Sequence, residues 1–155
     1  MIFDDLITAR PALTPGAALL GLDLGTKTIG TAFADPLWSI ATPAKTLKRS
    51  KFTQDATALM AAMDDRDAKG IILGLPRNMD GSEGPRCQST RAFARNLSAL
   101  TDAPIVLWDE RLSTVAAERA LLAADLSRKR RAQVIDSVAA GFILQGALDF
   151  LRQHG

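Results

Sequence analysis

Three acidic positions carry the chemical signal of this 155-residue chain. Asp23 stands inside Leu20-Gly21-Leu22-Asp23-Leu24-Gly25, an apolar run where a bare charge would be costly to desolvate. It must be paired, hydrogen-bonded or bound to a cation; capping the following turn or pairing with Lys27 would serve as well as a metal. Asp109 and Glu110 close a second apolar run, Ile105-Val106-Leu107-Trp108. Ligand sites in α/β sheets gather at the carboxyl ends of strands. Adjacent strand residues point to opposite faces, so only one of these two acids can share a site with Asp23. The sequence leaves that choice open, and an ion pair with Arg111 is the plainer use of the dipeptide.

Asp136 is the third. It belongs to a largely apolar helical pattern and shares a face with Ala139, Ala140, Ile143 and Ala147, small residues that would let the helix lie close to a sheet. Placed in the first turn, it would also favour the helix dipole, which is a structural reason for an acid there. Acids at the ends of two strands and at the start of a covering helix can converge on a point. Such a set selects hard cations, Mg²⁺ or Mn²⁺, because carboxylate oxygen and water are their preferred ligands. Two such ions do phosphoryl chemistry, activating water on one side of a phosphodiester and stabilising the leaving oxygen on the other.

Other chemistries lack their residues. Cys87 is the only cysteine and His154 the only histidine, the latter one residue from the end of the sequence. A disulfide within the chain, a cysteine-based zinc cluster and a serine–histidine–aspartate triad are therefore excluded. The composition, 47% hydrophobic and 23% charged, is that of a globular protein with one core. Nineteen bases against 17 acids leave a net charge of +2, so contact with an anionic polymer must use local patches. Residues 1–18 carry Asp4 and Asp5 and no apolar core with a positive flank, so we read no signal peptide and expect a cytoplasmic protein without membrane contact.

The elements that must position the acids are readable in outline. Residues 1–18, with two prolines, a glycine and no period, read as a flexible extension. Residues 18–23 and 29–35 read as a β-hairpin, and a third strand is expected over 40–47. A helix over 52–66, a strand over 70–74, a loop over 76–84 and a helix containing Phe93, Leu97 and Leu100 follow. A strand over 105–108, a helix over 114–124 and, after the basic run Arg128-Lys129-Arg130-Arg131, a long helix to about Leu151 complete the chain. This order predicts a mixed α/β sandwich with helices on both faces of the sheet.

Four motifs in this order resemble those of one family. They are Gly21-Leu22-Asp23-Leu24-Gly25-Thr26-Lys27-Thr28-Ile29-Gly30, the loop from Gly74-Leu75-Pro76 to Gly84-Pro85-Arg86, Asp109-Glu110-Arg111-Leu112-Ser113-Thr114, and Ile135-Asp136-Ser137-Val138-Ala139-Ala140. Together they resemble the YqgF family of Holliday-junction-resolvase-like proteins over about residues 19–150. The resemblance implies an RNase H-like fold with a five-stranded mixed sheet, forming a single nuclease domain over 19–155. It also implies a divalent-metal nuclease that trims the 5′ end of the 16S rRNA precursor, with branched DNA as the alternative substrate. By the matching motifs Asp23, Glu110 and Asp136 would be the active-site and metal-binding carboxylates, with Asp109 in reserve for Glu110. Thr28 departs from the family pattern, which carries a basic residue there.

Lys27, Arg77, Arg86, Arg111 and the run Arg128-Lys129-Arg130-Arg131 are the candidate phosphate contacts. The structural alternatives are a solvated interhelical stretch for the run and a surface loop for the segment that Arg77 and Arg86 bracket. No small-molecule cofactor is expected. Asp23-Leu24-Gly25-Thr26 also resembles the phosphate loop of the actin and sugar-kinase group, but that group clasps its nucleotide between two such domains. A module that grips structured nucleic acid without cutting is the third reading.

Overall fold

The computed structural model describes residues 1–112 and 128–154, with side chains for 1–112 and 137–154. In chain order these form β1 (Ile2–Phe3), α1 (Leu6–Ala9), a 3₁₀ turn (Arg10–Ala12), β2 (Ala18–Leu24), β3 (Thr28–Ala34), β4 (Ala41–Pro43) and β5 (Leu47–Lys48). Then come α2 (Phe52–Arg66), β6 (Ala68–Leu75), α3 (Pro85–Ser98), β7 (Ile105–Asp109), a second 3₁₀ turn (Glu110–Leu112) and α4 (Arg128–His154). The helix expected over 114–124 lies outside the described residues.

The strands form one mixed sheet in the order β1-β7-β6-β2-β3-β4, with β5 also paired to β3. β2 and β3 make the expected antiparallel hairpin, with Asp23 opposite Gly30. β6 runs parallel to β2, and β7 parallel to β6. Strands buried on both faces read as continuous apolar runs, which is why β2, β6 and β7 carry so few polar residues. Alternation along them sorts the core into two layers. Leu20, Leu22, Ile71, Leu73, Ile105 and Leu107 pack with Leu59 of α2 and Phe93 and Leu97 of α3. Leu19, Ile72, Val106 and Trp108 pack on the other face with Ala140, Ile143, Leu144 and Ala147 of α4. The small residues let α4 approach closely: a Cβ on Gly21 would stand 2.8 Å from Leu144 Cβ and 3.2 Å from the Ala140 carbonyl oxygen.

The α/β sandwich is as expected, and four details are not. Residues 1–18 are not a loose extension: β1 pairs with β7, the Ile105 amide donates to the Met1 carbonyl at 2.9 Å, and Leu6, Ala9 and Leu13 are buried against α4. A two-residue strand and a one-turn helix are too short to display a period, which leaves the prolines as the strongest local signal. The third strand is two short pieces, β4 and β5, and with β1 this raises the sheet from five strands to seven among the described residues. Leu100 lies beyond the end of α3 and is exposed. The basic run 128–131 is the first turn of α4 itself, which leaves Asp136 more than two turns inside the helix and removes the dipole as its explanation. Among the described residues, no helix is long and apolar enough to cross a membrane.

Candidate active site

The carboxyl ends of β2, β6 and β7 form the edge on which the acids gather. The register pairs Leu22 with Leu73 and Gly74 with Trp108, which puts Asp23, Gly74 and Trp108 in one row. Alternation fixes the faces: Leu22 and Leu24 point to α2 and α3, and Gly21 abuts α4, so Asp23 lies on the α4 face. Trp108 packs on that face too, and Glu110, two residues further, follows it. Glu110 reaches back over β6. Its Oε1 lies 3.1 Å from where a Cβ on Gly74 would be, and Ile143 Cδ1 of α4 lies 2.6 Å from the same point. Gly74 therefore leaves its volume to a carboxylate and a core methyl. Because β6 adjoins β2, the Glu110 carboxylate stands about one strand spacing, roughly 4.8 Å, from the Asp23 strand. Both acids are buried, Asp23 at 3% and Glu110 at 8% exposure.

Asp109 serves a different purpose. It faces the loop side, where the Arg111 guanidinium donates to it from Nη2 at 2.7 Å and from Nε at 3.1 Å, and the Arg111 amide donates at 3.0 Å. Arg77 Nη1 lies 3.8 Å away. Burial draws the Asp109 carboxyl upward, but the Arg111 hydrogen bonds and the charges of Arg111 and Arg77 outweigh it and hold the group below its ordinary value. The two acids left open in the sequence thus separate: Glu110 shares a face with Asp23, and Asp109 anchors arginines.

Asp136 sits on the α4 backbone one turn before Ala140 and two before Ile143, the residues packed on Gly21 and Gly74. Its side chain, like those of Arg128, Lys129, Arg130 and Arg131, lies outside the described residues. Ser137, next to it, is buried and shares a hydrogen bond with the Thr46 hydroxyl.

The basic candidates divide by partner. Arg111 is committed to Asp109 and to the Met79 carbonyl, and Arg77 lies between Glu83 at 3.4 Å and Asp109. Arg91 grips Glu83 through Nε at 2.6 Å and Nη2 at 2.7 Å, and Asp4 through Nη1 at 3.0 Å. These pairs pin the 76–84 loop to α3 and to the first residues of the chain. Lys27 is exposed, and Arg86 donates from Nη2 to the Leu24 carbonyl at 3.1 Å. Sequence reasoning overlooked Arg49, whose Nη1 donates to the Gly25 carbonyl at 2.8 Å. No local motif marks it; the pairing of Thr28 with Lys48 carries it there.

Among the described residues no three Asp, Glu, His or Cys side chains gather, so the described part of the site is the Asp23–Glu110 pair. Its donors are carboxylate oxygens alone, since Cys87 is buried in the opposite layer. A pair of buried carboxylates without soft ligands suits Mg²⁺ or Mn²⁺, and the bare Cα of Gly74 leaves room for the Glu110 carboxylate of that pair.

Comparison with known proteins adds to this geometry. A protein of Ruegeria sp. (strain TM1040), described as "Putative pre-16S rRNA nuclease", is 65% identical over 150 residues, covering 97% of this chain and 94% of that one. A protein of Paracoccus denitrificans (strain Pd 1222) with the same description is 64% identical over 155 residues, covering 100% of this chain and 98% of that one. Among solved structures, T. thermophilus RuvC in complex with Holliday junction substrate superposes with a TM-score of 0.57 at 8% identity, covering 89% of this chain and 96% of that chain. At that identity the likeness is one of fold, and it bears out the RNase H-like architecture expected from the sequence. The profile of the RuvX family, described as Holliday junction resolvase, matches residues 17–150, and this chain belongs to that family.

Proposed function

We propose that this chain is a divalent-metal-dependent nuclease that hydrolyses phosphodiester bonds. The observation that carries the reading is the burial of Asp23 and Glu110 on one face at the carboxyl edge of the sheet. We assign Asp136, carried on the α4 backbone, as the third acid of the set, and Asp109 is left to position Arg111. Mg²⁺ or Mn²⁺ held by Asp23, Glu110 and Asp136 would supply an activated water and neutralise charge on the leaving oxygen. The chain's own contribution is rigidity and dryness. Asp23 is fixed on a strand paired on both sides, and Glu110 is wedged over Gly74 against Ile143, so neither carboxylate needs to reorganise when substrate arrives.

The 5′ end of the 16S rRNA precursor is the substrate we favour, and a cytoplasmic location goes with it; the descriptions of the Ruegeria and Paracoccus relatives support the pre-16S rRNA part of this reading. Branched DNA is the second reading, favoured by the family description and the RuvC-like fold. The test is cleavage of a labelled precursor fragment beside a synthetic four-way junction, with Mg²⁺, with Mn²⁺ and with EDTA, by the wild type and Asp23→Asn. Metal-dependent cutting of RNA that Asp23→Asn loses is the expected result. Cutting of the junction alone would move the protein to recombination, and binding without cutting of either would leave a non-cleaving module.

A further inference from the structure

The strand end that carries Asp23 is also gripped from its other face. The Leu24 carbonyl accepts from Arg86 Nη2 at 3.1 Å and the Gly25 carbonyl from Arg49 Nη1 at 2.8 Å. With Thr26, Ser89 and the first turn of α3, these two arginines line a cavity of about 280 Å³. Neither has a carboxylate within ion-pair distance among the described residues, whereas Arg77, Arg91, Arg111 and Arg152 each have one.

A strand-end carbonyl needs one hydrogen bond, which a neutral amide would supply. Two permanent positive charges converging on one cavity exceed that need. A guanidinium offers five N–H donors in a planar fork, and one of the five is spent on each carbonyl. Beside Leu24 and Pro85, one further part of the wall carries the same sign as the arginines. The 14-residue helix α3 starts at this cavity with Pro85, has no acidic residue in its first turn and no side-chain cap, so its positive end is unneutralised from within the helix. Fork-shaped cations, hydroxyls and a helix start together suit a tetrahedral oxyanion with several acceptor oxygens.

We propose that the Arg49–Arg86 cavity is a phosphate subsite that holds a backbone phosphate of the strand being cut. It lies on the α3 side of the sheet edge, while Asp23, one residue before Leu24, lies on the α4 side, so a strand crossing the edge meets both. The assignment of the anion to a nucleic-acid backbone rests on the nuclease reading above. The cavity itself does not.

The experiment uses the full chain in two arms. In the first, amide NMR follows titration with inorganic phosphate; the Thr26, Arg86 and Ser89 amides are expected to shift in the wild type and to stay still in Arg49→Gln/Arg86→Gln. In the second, Asp23→Asn silences cutting, and the affinity for labelled RNA and a four-way junction is measured across salt with and without the double substitution. Glutamine removes both charges and leaves a polar, uncharged amide at each position. The expected loss in affinity is on the order of tenfold, and the slope of log K against log salt should fall by about 0.7–0.9 for the one phosphate lost. Arg49→Lys, which keeps the charge, is the control and should keep the slope; where the double variant does not fold, Arg49→Gln alone takes its place and should still lower the slope. An unchanged slope in a folded charge-removing variant would overturn the backbone assignment. If phosphate alone still shifted the amides, the cavity would be a site for a free anion. If no amide moved either, there would be no subsite. A chain that cut neither substrate, yet lost slope on substitution, would sink the nuclease reading and keep the cavity as a subsite for the backbone of a bound, uncut strand.

Discussion

Gly74→Ala tests the site and the fold together. The new Cβ would fall 2.6 Å from Ile143 Cδ1 and 3.1 Å from Glu110 Oε1. Carbon contacts are comfortable at about 3.5–4.0 Å, so the methyl must retreat by roughly 1 Å. Ile143 is wholly buried, which makes this overpacking worth about 1–3 kcal/mol of stability. Removing Cδ1 by Ile143→Val costs about 0.5–1.5 kcal/mol alone. In Gly74→Ala/Ile143→Val the worst clash is gone, so the two losses should fall short of additive by about 1–2 kcal/mol. Urea unfolding followed by tryptophan emission reads all three variants. Cleavage should not recover with stability, because the Glu110 contact survives in the double variant. A carboxylate displaced by a few tenths of an ångström should leave metal-dependent cutting down by about tenfold. Gly21→Ala is the harsher control, since Leu144 Cβ and the Ala140 carbonyl cannot turn away. Strict additivity of the pair, or a Gly74→Ala protein of unchanged stability and activity, would refute the close approach of α4, β6 and Glu110.

The remaining predictions are shorter. Glu110→Gln should reduce cleavage at least a hundredfold with folding intact. Asp109→Asn should cut nearly normally but lose about 1–2 kcal/mol as the Arg111 anchor weakens; the reverse pattern in paired activity and urea measurements would exchange the two roles. Asp67 ends α2 at φ 51°, in the left-handed region and with a negative charge at the helix's negative end, so Asp67→Gly should raise stability by about 0.5–1 kcal/mol, and an unchanged or lower Tm would count against the strain. Asp35 accepts from the Ile40 and Ser39 amides and the Ser39 hydroxyl, and the Ile40 hydrogen bond leads in lowering its carboxyl from 3.8 to about 2. A carboxyl lowered by folding contributes stability above its unfolded value, and that contribution fades as pH falls from 3.8 toward 2. Carboxyl NMR should show the midpoint near 2; a midpoint at the ordinary value would remove these hydrogen bonds from solution.

What the sequence determined by itself is what local chemistry can express. An acid within Leu20–Gly25 had to mean something, because an apolar strand cannot tolerate an idle charge, and the hairpin, α2, β6 and β7 announced themselves through unbroken apolar runs or helical spacing. The small-residue face of the last helix likewise foretold its close approach to Gly21. Three matters waited for the tertiary structure. Period-2 alternation said that Asp109 and Glu110 diverge but not which way each went; the register of β6 against β7, with Gly74 bare beneath Glu110, decided it. Residues 1–18 lacked any period because their elements are too short to have one, and only the edge of β7 and the α4 face gave them a place. Arg49 carried no local signal, since its partner is the Gly25 carbonyl, 24 residues away in sequence; strand pairing brought the two together. Patterning reports which side of an element is buried, whereas the neighbour it is buried against is a property of the whole chain.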